Sequence, residues 1–143
     1  MSYDVLVIGG GPAGLSAAIS AAKAGAQVTV VSPESLTVNV SAALTLQAGY
    51  QIGQVQQPIE QAVEAYLLTI RKEWDTNTST NSVVYAADVY LARITAAMIG
   101  VTGVVNATNV QLNGAAADMT LTEDGTTQQV PVIGTVTLTE GGA

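Results

Sequence analysis

Val55-Gln-Gln-Pro-Ile-Glu-Gln-Ala-Val-Glu-Ala-Tyr-Leu-Leu-Thr-Ile-Arg-Lys-Glu73 decides how this chain folds. Its apolar residues Val55, Ile59, Ala62, Val63, Tyr66, Leu67 and Ile70 recur at the 3.6-residue period, so the segment is a helix with one buried face. Pro58 fits the first helical turn, where a missing N–H is harmless. Glu60 and Glu64 precede Arg71 and Lys72, the order favoured by the helix dipole. The polar run Asp75–Ser82, made of residues that prefer caps and turns, ends the pattern. A second amphipathic stretch follows, with Tyr90, Ile94, Ala97, Met98 and Val101 on one face and Gly100 to Gly103 closing it. Val38–Leu46 alternates apolar residues at 38, 40, 42, 44 and 46, the period of a half-buried strand. On the other side Val104–Leu112 reads as a strand, and Asn113-Gly114 is a strong turn signal. Met119–Thr122, Gln129–Ile133 and Thr135–Thr139 read as short strands with hairpin connections, Glu123-Asp-Gly125 being one turn. The expected fold class is α+β: two amphipathic helices packed on short, mostly antiparallel strands. A short βαβ-like Rossmann-type start precedes them.

Composition removes whole classes of chemistry. The chain has 143 residues, about one domain, with 48% hydrophobic and 10% charged residues. It has no cysteine and no histidine, so disulfides, thiolate nucleophiles, Cys/His zinc sites and a Ser-His-Asp triad are all excluded. Any catalysis rests on carboxylates, Lys, Tyr or a bound cofactor. With four Lys and Arg against a net charge of −7, nucleic acid and anionic membranes are not expected partners. The most apolar later stretch, Ala86–Val105, contains Asp88 and Arg93 and does not read as a membrane span. The N-terminus carries Asp4 where a signal peptide would be basic, so synthesis in the cytoplasm is expected.

The first 31 residues follow a different logic. Tyr3–Ile8 is a short apolar run typical of a strand buried on both faces, and Gly9-Gly-Gly-Pro-Ala-Gly14 follows at once. Leu15–Ala24 is helix-compatible, Gly25 caps it, and Ala26–Val31 reads as a second strand. Gly9, Gly11 and Gly14 match the dinucleotide fingerprint in its required strand–turn–helix setting. The glycines would serve a tight turn, close approach to a pyrophosphate and close helix-to-strand packing, with helix N–H groups facing the phosphates.

These words resemble the start of FAD-dependent oxidoreductases of the thioredoxin-reductase kind. The resemblance implies FAD as cofactor, with Gly9, Gly11 and Gly14 as its binding residues. It also implies an acidic residue closing the second strand to hold the adenosine ribose. Ser32 occupies that position, and Glu34 comes two residues late. No second glycine-Asp flavin motif and no Cys-x-x-Cys pair follows.

From about Gly25 to Leu138 the chain resembles a second family, the C-terminal part of phage baseplate J-like proteins, wedge components of contractile tails. The resemblance runs through Gly25–Pro33, the alternating strand to Leu46, Gly49-Tyr50, Ile59–Ile70, Val84-Tyr85, Val101–Val104, Val110–Gly114 and Val130–Leu138, in order. It implies a structural, non-catalytic role, with no cofactor and no metal. Implied partners are other baseplate wedge subunits, self-association included, and the implied destination is the virion or tail-like particle baseplate. The two resemblances share Gly25–Val31, which suggests a chimeric chain of residues 1–24 and 25–143.

Three further groups of residues have two readings each. Glu60 and Glu64, four apart, have the spacing of paired acid/base carboxylates, but without a histidine or metal ligand they read as a solvated face. Asp118, Glu123 and Asp124 suggest a cation site, but their spacing lacks the EF-hand pattern, and turn chemistry explains Asp124-Gly125. Trp74, Tyr66, Tyr85 and Tyr90 suit either the core or a partner interface, and Arg71, Lys72 and Arg93 could meet acids of a neighbouring subunit.

Overall fold

The structure is a computed structural model that describes residues 4–73, 78–79, 82–83, 88–122 and 126–141. The chain divides into two compact units, one holding Met1–Ser35 and Leu121–Val130, the other Leu36–Thr120 and Pro131–Ala143.

The first unit is built on a strand–helix–strand start: β1 (Val5–Ile8), α1 (Pro12–Lys23) and β2 (Val28–Val31). β1 and β2 pair in parallel, Val5 opposite Val28 through Ile8 opposite Val31. That pairing requires a crossover, and α1 supplies it. Pro12 opens the helix at a position that has no use for its missing N–H. At the other end Gly25, at φ +89°, donates its N–H to Ala22 O and Ala26 donates to Ala21 O, a Schellman cap.

The second unit holds a three-stranded sheet in the order β6 (Val104–Leu112), β3 (Pro33–Leu46), β7 (Gln128–Glu140), against which α2 (Ile52–Glu73) and α3 (Leu91–Ile99) contribute their buried faces. Val38, Val40, Ala42 and Leu44 of β3 are buried, as their alternation requires. α2 buries Val55, Ile59, Val63, Leu67 and Ile70, and α3, which packs on α2 and β6, buries Ile94 and Met98. Each large side chain so enclosed contributes about 1.5–3 kcal/mol. Tyr90, expected on that face, is exposed and forms the N-cap of α3 instead. Short segments β4 (Thr78–Ser79) and β5 (Ser82–Val83) pair antiparallel with each other.

Pro58 is not in a first turn. α2 begins at Ile52, six residues earlier, because Gln54 turns its Oε1 back to the Gln51 N–H (2.8 Å), half of a capping box made without a serine or aspartate. Pro58 therefore lies inside the helix, on its exposed side, where its ring crowds no core residue.

β6 buries Val104, Ala107, Val110 and Leu112, a spacing no regular strand allows. Two irregularities in its antiparallel register with β3 account for it. Two steps along β3 from Ser41 to Ala43 match three along β6 from Gln111 to Thr108, and one step from Thr45 to Leu46 matches two from Asn106 to Val104. Each extra residue is a bulge that turns the next apolar side chain inward. Asn109, at φ +51°, sits in the first of them, a conformation asparagine tolerates better than most residues.

Gln129–Ile133 and Thr135–Thr139 are not two strands but one, β7. Gly134 marks a close approach rather than a break: a Cβ there would overlap Asn39 Oδ1 and the Thr37 methyl. Asn39 Oδ1 accepts the Thr135 N–H (2.9 Å), replacing a backbone rung. Because Gly134 lies beside Thr37 and Asn39 and Gly141 beside Ala43 and Leu44, β7 runs in the same direction as β3. Met119 joins no strand and bridges Val89. Asn113 and Gly114 form the expected turn, both at positive φ, closed by paired hydrogen bonds between Leu112 and Ala115 at 2.9 Å. The Asn113 side chain does more, accepting the Asn39 N–H (2.8 Å) and donating to Thr37 O (2.9 Å), which extends the β3–β6 ladder past the end of β6.

Candidate functional site

The glycine-rich turn is shaped by the two elements it joins. Gly9 leaves β1 at φ +102°, a conformation that suits glycine, and its N–H donates to Val31 O (2.7 Å) at the end of β2. Gly11 is the extended N-cap of α1, and its carbonyl accepts the Leu15 N–H (2.9 Å). Gly14 lies where α1 crosses β1: a Cβ there would overlap the Gly9 carbonyl oxygen and stand 3.3 Å from Val7 Cγ1. Gly10 and Gly11 face open space, with nothing within 4 Å of where a Cβ would be. No side chain caps the first turn of α1. The N–H groups there have the orientation that receives a phosphate. The structure thus brings Gly9, Gly11 and Gly14 into one turn. At the adenosine end, Ser32 and Glu34 are exposed and no carboxylate closes β2.

In the second unit the tempting acids are engaged in structure. Glu60 Oε1 accepts from Gln56 Nε2 (2.6 Å), and that same nitrogen donates to Val136 O of β7 (2.9 Å). Glu64 forms an ion pair with Arg71, so that cation is used within the chain. Asp118 Oδ1 accepts the Leu91 N–H (2.8 Å), capping α3 where a carboxylate also meets the positive end of the helix dipole. Among the described residues no group of three acids could hold a metal ion. Glu123, Asp124, Trp74 and Tyr85 lie outside the described residues.

Tyr66 is half-buried, and its hydroxyl oxygen accepts the Tyr90 N–H (3.1 Å). Burial pushes its phenol above the ordinary value of 10.0, opposed by the Tyr90 bond and by Arg93. The raised pKa means the neutral phenol is favoured in the fold. Its stabilising share is intact below pH 10 and is lost as pH rises through the higher folded value. Tyr66→Phe should lower stability at neutral pH by about 0.5–1 kcal/mol through loss of the acceptor. It should also flatten the decline of stability above pH 10, measured by denaturant titration at a series of alkaline pH values.

What remains open in this unit is surface. The outer side of the sheet carries Asn39, Ser41, Asn113, Thr135 and Thr137 around a shallow cleft of ≈280 Å³. A second groove of ≈520 Å³ runs between the flank of α2, with Gln57, Glu60, Gln61, Glu64 and Ala65, and Ile133 and Gly134 of β7. Sequence reasoning placed Glu60 and Glu64 on a solvated face and did not find this groove. Gln56, which ties α2 to β7, was the available signal: it is polar and lies one residue from the buried Val55. No helix among the described residues is long and apolar enough to cross a membrane.

The family model of the Baseplate J-like protein C-terminal domain matches residues 38–139. The model of a FAD binding domain matches residues 2–50. No curated protein matches the chain.

Proposed function

The chain belongs to the Baseplate J-like protein C-terminal domain family, and from that membership we propose that it is a non-catalytic assembly module of a contractile-tail baseplate wedge. One observation carries this reading: the matched stretch, residues 38–139, runs from the inner residues of β3 through both helices and β6 to the end of β7. Among the described residues Glu60, Glu64, Asp118 and the half-buried Tyr66 are engaged in hydrogen bonds, an ion pair and capping, which suits a part that works by contact. Its partners are other wedge subunits, further copies of the same chain among them, and its destination is the baseplate of a phage or tail-like particle. The test is mass spectrometry of contractile-tail particles purified from the host that encodes the chain. Peptides from residues 38–139 should co-sediment with the baseplate fraction. Their confinement to the unassembled fraction would overturn the reading.

A second reading is favoured by the FAD binding domain match and by the open space before α1: the first unit binds FAD with its pyrophosphate on the turn of Gly9, Gly11 and Gly14. If FAD binds, those glycines let its pyrophosphate approach the backbone, and the isoalloxazine supplies the redox chemistry. The residues present fit the pyrophosphate and lack a ribose carboxylate. The visible spectrum of the purified chain, taken after excess FAD and desalting, separates the cases. A near-stoichiometric flavin band makes the turn a working site, and a colourless protein leaves it a structural one.

A further inference from the structure

β7 is an edge strand, with β3 on one side and, among the described residues, no strand on the other. Long edges are commonly guarded by lysine, proline or a bulge. β7 has Pro131 near its start and Glu140 at its end, and the eight residues between, Val132 to Thr139, carry neither a charge nor a proline. The N–H groups of Thr135 and Gly141 turn toward β3, bonding Asn39 Oδ1 (2.9 Å) and Leu44 O (2.8 Å). The Val136 carbonyl turns outward and accepts from the Gln56 amide (2.9 Å). Along this edge lies the ≈520 Å³ groove, and the charged side chains on its wall, Glu60 and Glu64, are both acidic. Glu64 Oε2 is buried without a hydrogen-bond donor, although Arg71 holds the other oxygen.

We infer that this groove receives an extended, basic segment of a partner protein, which adds as a strand to β7 and directs a lysine or arginine to Glu60, beside the Arg71-paired Glu64. Main-chain bonds would supply the affinity and the carboxylates the choice of side chain. A second copy of this chain is the poorer occupant, because it brings two more glutamates to the same place and another net charge of −7. The inference deepens the assembly reading and rests on it, by giving the partner's chemistry.

The test uses the full chain and a labelled synthetic peptide of alternating Lys-Val-Thr-Val pattern, followed by fluorescence anisotropy. Binding is expected with a Kd below about 1 mM. It should weaken at least ~10-fold when alternate peptide residues are N-methylated, when the lysines are replaced by glutamate, and in the Glu60→Lys chain. N-methylation leaves the protein untouched, so that comparison holds even if E60K disturbs the Gln56 bond. No binding of the parent peptide at about 1 mM, or equal binding of the N-methylated one, overturns strand addition. Dimers in sedimentation that exclude the peptide overturn the choice of partner. Co-sedimentation with tail baseplates is measured separately, so either idea can fail while the other stands.

Discussion

Gly103→Ala should destabilise the second unit by about 2–4 kcal/mol, the sum of a strained backbone and an overpacked contact. Gly103 sits at φ +96°, between the end of α3 and the first residue of β6. The Tyr50 ring lies where a Cβ would go. Movement of that segment is restricted, because the Gly103 carbonyl accepts the Gln47 N–H (2.9 Å) and so ties the end of β3 to the start of β6. Tyr50 is 36% exposed, so part of the clash can be relieved by swinging the ring outward, but the dihedral strain cannot. The double variant separates the two causes. In a Tyr50→Ala background, Gly103→Ala should cost only the backbone share, about 1–2 kcal/mol. Urea unfolding followed by circular dichroism measures both. A loss under about 0.5 kcal/mol in the single variant would mean the turn opens without the glycine.

How much of this fold could be read in advance depended on whether backbone or side chains made each connection. The faces of α2 and β3 were legible because 3.6-residue and two-residue periods leave a direct trace in the apolar positions: Val55, Ile59, Val63, Leu67 and Ile70, and Val38, Val40, Ala42 and Leu44, are buried where that trace puts them, while Ala62, Tyr66 and Leu46 are partly covered. The parallel β1–β2 pair followed from strand–glycine–helix–strand order alone. What was hidden lies where a side chain stands in for a backbone group. Gln54 starts α2 early, Asn39 accepts a Thr135 N–H beside Gly134, and Asn113 continues the β6 ladder through its amide. None of these residues announces such a role by type, and Gly134 looked like the break it is not. The bulges of β6 were likewise silent, since the spacing 104, 107, 110, 112 fits neither regular period.

The candidate sites divide along the same line. The turn of Gly9, Gly11 and Gly14 was visible because glycine reports a backbone requirement, and two of the three show one: the positive φ of Gly9 and the lack of room at Gly14. The groove beside β7 was not visible, because it exists only once α2 is laid along the strand by the Gln56–Val136 bond. Asp118 stood out only as one of three acids without a cation-site spacing, yet it caps α3 across 27 residues of sequence, a distance no local pattern spans.

Leu67→Ala should cost about 2–5 kcal/mol, while Leu68→Ala, one residue on, should stay within about 0.5 kcal/mol. The two leucines are equal in helix propensity and in size, so their difference isolates burial from everything local. One residue turns the side chain by about 100° around the helix axis, which carries Leu67 into the core at 0% exposure and leaves Leu68 at 38%. Truncating Leu67 removes its transfer free energy and opens a cavity between buried neighbours on the same face, Val63 and Ile70. Truncating Leu68 removes atoms that water already touches. Matched urea titrations give both numbers. Comparable losses at the two positions would show that the outer side of α2 is covered in solution. With the Leu68 variant folded, a self-association seen in sedimentation of the parent chain but absent from L68A would place that cover on a second copy.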